Sequence, residues 1–116
     1  GDQRALRSRW MRGVQQTNSE GIVYFKSCFP GWYPGRAPHI HYKLVRNGST
    51  ILISQLGFED QIADDIYENH PDYTGTPKDT SNATDGVFNG QAQDLIFATE
   101  KQNDASMLVY KEIVVQ

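Results

Sequence analysis

The 116-residue chain has a single cysteine, no apolar run near the roughly 18 residues that span a bilayer, and no excess of positive charge. Cys28 has no partner for an internal disulfide. It is expected to be a small buried hydrophobe, or half of a bridge to sequence beyond these residues. Eleven Lys and Arg stand against 14 Asp and Glu, a formal charge of −3. That balance offers no electrostatic footprint for nucleic acid or an anionic membrane, and neither partner is expected. Only Arg4, Arg7, Arg9 and Arg12 gather, as a solvated arm or as a contact to a partner or to absent chain. There is no G-x-G-x-x-G, no Walker A loop, no C-x-x-C and no H-E-x-x-H. None of Ser27, Ser49, Ser54, Ser81 and Ser106 lies in a nucleophile elbow. No signal peptide is visible, and the chain opens Gly1-Asp2-Gln3 without an initiating Met. We expect a piece of a longer protein, from which the compartment is not readable.

What is there is turn-rich and β-branched, on a length that suits one domain at most. Val23 and Phe25 alternate with Tyr24 and Lys26, which predicts a strand over Gly21 to Ser27. Asn47-Gly48 is the pair that most readily takes the positive dihedrals of a tight hairpin turn. A strand from His39 to Val45 is therefore expected to return as Thr50 to Gln55. Ile62 and Ile66 share one face of a short surface helix from about Asp60 to Asn69, stopped by Pro71. Pro71 to Gly86 reads as loop, and the stretches Leu95 to Glu100 and Met107 to Val115 read as two further antiparallel strands. The sum is a mainly β fold, an antiparallel β-sandwich with one short surface helix and one edge open to N-terminal strands missing from this sequence.

His39 and His41 stand two apart on the predicted strand, so they point to one face with Cα atoms about 6.6 Å apart. Two imidazoles so placed can converge on one ion, and imidazole alone suits Zn, Cu, Fe or Ni. They can equally be half-buried side chains with hydrogen-bonded nitrogens. Just upstream, Pro30-Gly31 and Pro34-Gly35 frame a stiff turning segment that carries Tyr33. A phenolate is a donor for a hard, highly charged cation, and losing a proton with an ordinary pKa of about 10 needs such a partner. One Tyr with two His therefore suits oxidised iron better than structural zinc; otherwise Tyr33 is a packed aromatic with a bonded hydroxyl. Arg36 offers a permanent charge and planar fork for an anionic oxygen, or an ordinary salt bridge across the loop. Gln55, on the return strand, lies near the histidines if the hairpin register allows it. Trp32 walls an aromatic pocket or caps the core. The carboxylates Glu59-Asp60, Asp64-Asp65, Asp79 and Asp85 read as helix start and solvated loop, and His70 as surface.

The text from Arg12 to Leu44, with "PGWYPGRAPHIH" at its centre, closely resembles the intradiol ring-cleavage dioxygenases, the catechol 1,2- and protocatechuate 3,4-dioxygenase superfamily. "SQLGFEDQ" and, more loosely, "KDTSNATDGVF" extend the resemblance, which runs from Trp10 to Phe88. It implies that residues 1–116 are part of a catalytic β-sandwich domain. The implied activity is non-haem Fe(III)-dependent cleavage of a catechol-type diol by O2 to a cis,cis-muconate-type diacid. By resemblance Tyr33, His39 and His41 are iron ligands, Tyr33 being the one that loosens when substrate arrives. Arg36 steadies charge on the activated substrate, and Gln55 is the polar pocket glutamine. A second tyrosine ligand would lie upstream, since no tyrosine precedes Tyr24 here. Pairing of Cys28 with a cysteine near that absent ligand goes with an exported, periplasmic or extracellular, placement; the cytoplasm is the alternative. A homo-oligomer, or association with the missing N-terminal segment, is a further expectation. The rival class is a β-sandwich binding module, metal-free or holding Cu or Zn through His39 and His41. A metallohydrolase is disfavoured because no carboxylate accompanies the histidines at ligand spacing.

Overall fold

Asn47 and Gly48 turn the chain with φ of 51° and 78°, the left-handed values a tight hairpin demands. On either side run β1 (His39–Arg46) and β2 (Ser49–Gly57), paired antiparallel. The computed structural model describes residues 11–73, 77–90 and 92–115. After the hairpin come helix α1 (Asp60–Asn69), a one-turn helix α2 (Ala92–Leu95), and strands β3 (Ala98–Lys101) and β4 (Met107–Tyr110). The second pair is also antiparallel, so among the described residues two two-stranded sheets form a mainly antiparallel β architecture of the sandwich-like kind. Arg4, Arg7, Arg9 and Trp10 lie outside the described residues.

The hairpin register places His39 opposite Gly57 and His41 opposite Gln55. Side chains alternate across a strand, so His39, His41 and Gln55 share one face. Tyr42, Leu44, Leu52 and Leu56 occupy the other face, Leu56 buried and the other three half-buried. One irregularity, between Leu44 and Val45, shifts the register close to the turn.

Helix α1 spans the predicted residues and ends for the predicted reason. His70 precedes Pro71, which disfavours helical dihedrals, and it sits extended at φ −82° and ψ 128°. The fully buried stripe is Ala63 and Tyr67, with Ile62 and Ile66 half-buried beside it. At the helix start Asp60 meets the positive end of the helix dipole and is bridged by Lys78, which also reaches Asp64 at 3.2 Å. These two carboxylates are thus engaged by a lysine that is itself buried, rather than simply solvated.

The core lies at the histidine end of the hairpin. Leu56 and Phe58 from β2 and its exit, Ala63 and Tyr67 from α1, Phe88 and Ala37 are all buried there. Phe29 stacks against Phe58 at 4.6 Å between ring centroids and meets Tyr67 edge-on at 5.6 Å. The packed part of this fold is therefore what supports the segment leading into His39.

Three expectations are corrected. Gly21 to Ser27 forms no strand: Val23, Tyr24 and Phe25 are exposed, and the alternation that predicts a strand finds no neighbouring edge among the described residues to pair with. Cys28 is an exposed free thiol rather than a buried hydrophobe. The last strand stops at Tyr110, because β3 offers only four residues to pair with.

Gly57 is where β2 presses on the rest of the core. A Cβ added there would lie 2.8 Å from both Phe88 Cε2 and Ile96 Cδ1, and the Gly57 carbonyl accepts the Phe97 N–H at 2.9 Å. Gly57→Ala is expected to overpack this junction and cost about 1–3 kcal/mol. An unchanged denaturation midpoint would show that Phe88 and Ile96 yield without cost.

Candidate metal centre

Pro34 and Gly35 turn the chain ahead of the hairpin, with Gly35 at φ 86° and the Arg36 N–H donating to the Tyr33 carbonyl at 3.3 Å. The turn leaves Tyr33 half in solvent, 51% exposed, and brings its ring over the start of β1. Tyr33 Oη lies 3.1 Å from His39 Nε2. The ring centroids of Tyr33 and His39 are 5.5 Å apart, and those of His39 and His41 are 4.9 Å apart. Tyr33, His39 and His41 therefore come together in one cluster.

His39 Nδ1 lies 2.7 Å from the Ala37 carbonyl, which can only accept, so Nδ1 carries the proton and Nε2 offers a lone pair toward Tyr33. Burial lowers the pKa of His39, and repulsion from Arg36 and His41 adds to it. The imidazole is thus held in the neutral form that can act as a ligand.

Arg36 is gripped from two directions. Its Nη2 donates to Gln55 Oε1 at 2.6 Å, and its Nε donates to Asp85 Oδ2 at 2.9 Å. Gln55, placed across from His41 by the register, is therefore in the cluster as well. Asp85 is the residue that sequence reasoning misplaced. Far from solvated, it is fully buried and ion-paired. Besides Arg36 it accepts the N–H groups of Ala37 at 2.8 Å, Val87 at 2.7 Å and Phe88 at 3.1 Å. Burial raises its pKa, but the Arg36 bond and three backbone N–H donors outweigh that and push it down to about 2. The one sequence signal was its place before Gly86, where an Asp often closes a turn onto the following N–H groups.

The other end of the Tyr33 segment is tied by phenols. Tyr73 Oη donates to the Phe29 carbonyl and Tyr67 Oη to the Pro30 carbonyl, each at 2.7 Å. Asp79, which is exposed, accepts the Gly35 N–H at 3.2 Å. Trp32 is half-buried in the same segment, and His70 is exposed and stacked edge-on with Tyr73. Among the described residues no three His, Cys, Asp or Glu side chains group as metal ligands, so the candidate donor set is two histidines completed by a tyrosine.

Among solved structures, the intradiol ring-cleavage dioxygenase from Tetranychus urticae aligns with a TM-score of 0.74 and 30% identity, over 85% of this chain and 49% of that one. A second crystal structure of a dioxygenase aligns with a TM-score of 0.70 and 34% identity, over 80% of this chain and 46% of that one. Over most of its length this chain is structurally homologous to the intradiol ring-cleavage dioxygenases. It spans about half the length of both relatives. No family model and no curated protein sequence matches it.

In this chain the Asp85 carboxylate is favoured by folding, because its pKa is near 2 in the native state against an ordinary 3.8. A depressed carboxylate contributes stability above the unfolded value, and that contribution is lost as pH falls through the folded one. The thermal midpoint should drop between about pH 4 and pH 2, and Asp85→Asn should flatten that drop while lowering stability at neutral pH. A wild-type acid limb no steeper than that of Asp85→Asn would contradict this.

Proposed function

We propose that the intact protein cleaves a catechol-type aromatic diol with O2 between its two hydroxyl-bearing carbons, giving a cis,cis-muconate-type dicarboxylic acid. Residues 1–116 are then part of the catalytic β-sandwich domain. The observation that carries this reading is the approach of Tyr33 Oη to His39 Nε2 at 3.1 Å, with His41 alongside.

This donor set fits ferric iron: a neutral imidazole with its lone pair turned inward, a second imidazole on the same strand face, and a phenol as hard oxygen donor. Tyr33, His39 and His41 would hold it. When bound, Fe(III) supplies the Lewis acidity that makes a diol and a tyrosine give up phenolic protons and opens the diol to reaction with O2. The substrate itself supplies the electrons, so no organic cofactor is required.

The remaining work falls to the chain. As a phenolate, its own proton already lost, Tyr33 Oη on its half-solvated turn would take a proton from an incoming diol hydroxyl, ordinary general-base chemistry. Arg36, fixed by Gln55 and Asp85, directs a permanent positive charge at the same spot and stabilises negative charge that grows there during reaction. Gln55 orients the guanidinium from the strand opposite His41. The Nδ1–H bond to Ala37 keeps the His39 ring from turning its lone pair away.

Purified intact protein loaded with iron should be burgundy and should convert catechol to a muconate absorbing in the ultraviolet. Colourless protein retaining zinc or copper, with catechol left whole, would instead favour a binding module. Tyr33→Phe should remove part of the visible absorption, and an unchanged spectrum would deny Tyr33 a ligand role. Arg36→Ala should lower turnover by about 100-fold or more at equal iron content; iron lost in proportion to activity would make Arg36 architectural.

A further inference from the structure

We propose that Asp85 is a positioning residue of this site, one that aims Arg36 and sets the presentation of His39 without itself taking part in proton transfer. The inference rests on the function proposed above. It begins from how the two carboxylate oxygens are divided. Oδ1 accepts the Val87 and Phe88 N–H groups and so closes the turn in which Asp85 sits. Oδ2 serves a different segment, accepting Arg36 Nε at 2.9 Å and the Ala37 N–H at 2.8 Å. A residue needed only for its own turn would use one oxygen. Here the second is given over to residues 48 and 49 positions earlier in the chain.

The consequences run in two directions. Nε and Nη2 of Arg36 are both engaged, by Asp85 and Gln55, which fixes the plane of the guanidinium and the direction of its remaining donors. Gln55, one of the two groups that hold the guanidinium, stands across the ladder from His41, so the orientation of the guanidinium bears on the cluster. Through Ala37 the same carboxylate reaches His39. The Ala37 N–H is tied to Asp85, and the Ala37 carbonyl receives His39 Nδ1–H at 2.7 Å. Ala37 is fully buried and is followed by Pro38, whose ring fixes φ and has no N–H to offer. The carbonyl that chooses the His39 tautomer is thereby held in place. A carboxylate has about four acceptor positions. Four close bonds, with a fifth longer one from Arg36 Nη2 at 3.4 Å, leave Asp85 none for a reacting proton.

Two measurements on the intact protein test this. In the metal-free wild type, the Arg36 Nε–H signal in a proton–nitrogen correlation spectrum should exchange with water at least tenfold more slowly than that of exposed Arg46. Exchange as fast as Arg46 would overturn the proposal, and this result requires neither a variant nor a working enzyme. The second is a double-mutant cycle in kcat at matched iron content. Asn offers one acceptor oxygen where two are used, so Asp85→Asn should lower kcat by about 100-fold, as expected when a charged group is misaimed by an ångström or so. KM should move much less. If Asp85 acts in large part through Arg36, adding Asp85→Asn to Arg36→Ala should cost at least about tenfold less than it costs in the wild type, the remaining loss coming through Ala37 and His39, whereas independent effects multiply. Multiplied losses would reduce Asp85 to a structural carboxylate. If the intact protein cleaves no catechol, the proposed function fails, and the exchange measurement still decides whether Asp85 holds Arg36.

Discussion

A single buried carboxylate against a guanidinium organises this end of the molecule. Asp85 sits without exposure near the end of the loop, and Arg36 sits just before the histidine strand. Each is tolerated only because of the other, since an unpaired charge in such a place would be strongly destabilising. The pair joins two stretches that share no strand pairing, and the anchoring of buried Ala37 and Phe88 depends on Asp85, which accepts both of their N–H groups. That dependence also links the core to the cluster: the buried residues support the loop that carries Tyr33 as much as they support the sheet.

The three candidate ligands are held with unequal stiffness. His39 and His41 are spaced by the pleat of a paired strand and cannot change their separation without breaking the ladder to Gly57 and Gln55. Tyr33 hangs from a turn secured at both ends. Its upstream carbonyls at Phe29 and Pro30 are bound by Tyr73 and Tyr67, and its downstream N–H groups at Gly35 and Ala37 by Asp79 and Asp85. Between those anchors the phenol is half exposed. Two of the three side chains are thus spaced by a paired strand, while the third projects from a turn into solvent.

Much of the fold was legible because its signals are local. Asn47-Gly48 announces its own dihedrals, and Pro71 dictates where α1 stops. Most of the cluster was legible too, since Tyr33, Arg36, His39 and His41 fall within nine consecutive residues and the hairpin brings Gln55 back to them. What failed was non-local. Gly21 to Ser27 alternates like a strand, but pairing requires an edge that its own residues cannot reveal. Asp85 looks like any carboxylate in a loop of Ser, Thr, Asn and Gly; its burial follows from Arg36, 49 positions away. Cys28 illustrates the same limit, because a cysteine's usual burial says nothing about which face a particular segment shows to solvent.

The irregular pairing between Leu44 and Val45 has its own bearing on how such a hairpin can vary. In a regular ladder one added residue turns every later side chain to the opposite face, and a pair of imidazoles would be lost together. Here the mismatch is absorbed beside the turn, beyond His41 and away from the core. The tip of the hairpin is thus decoupled from its base, and a residue gained or lost at that tip would leave intact the parity that keeps both rings on one side.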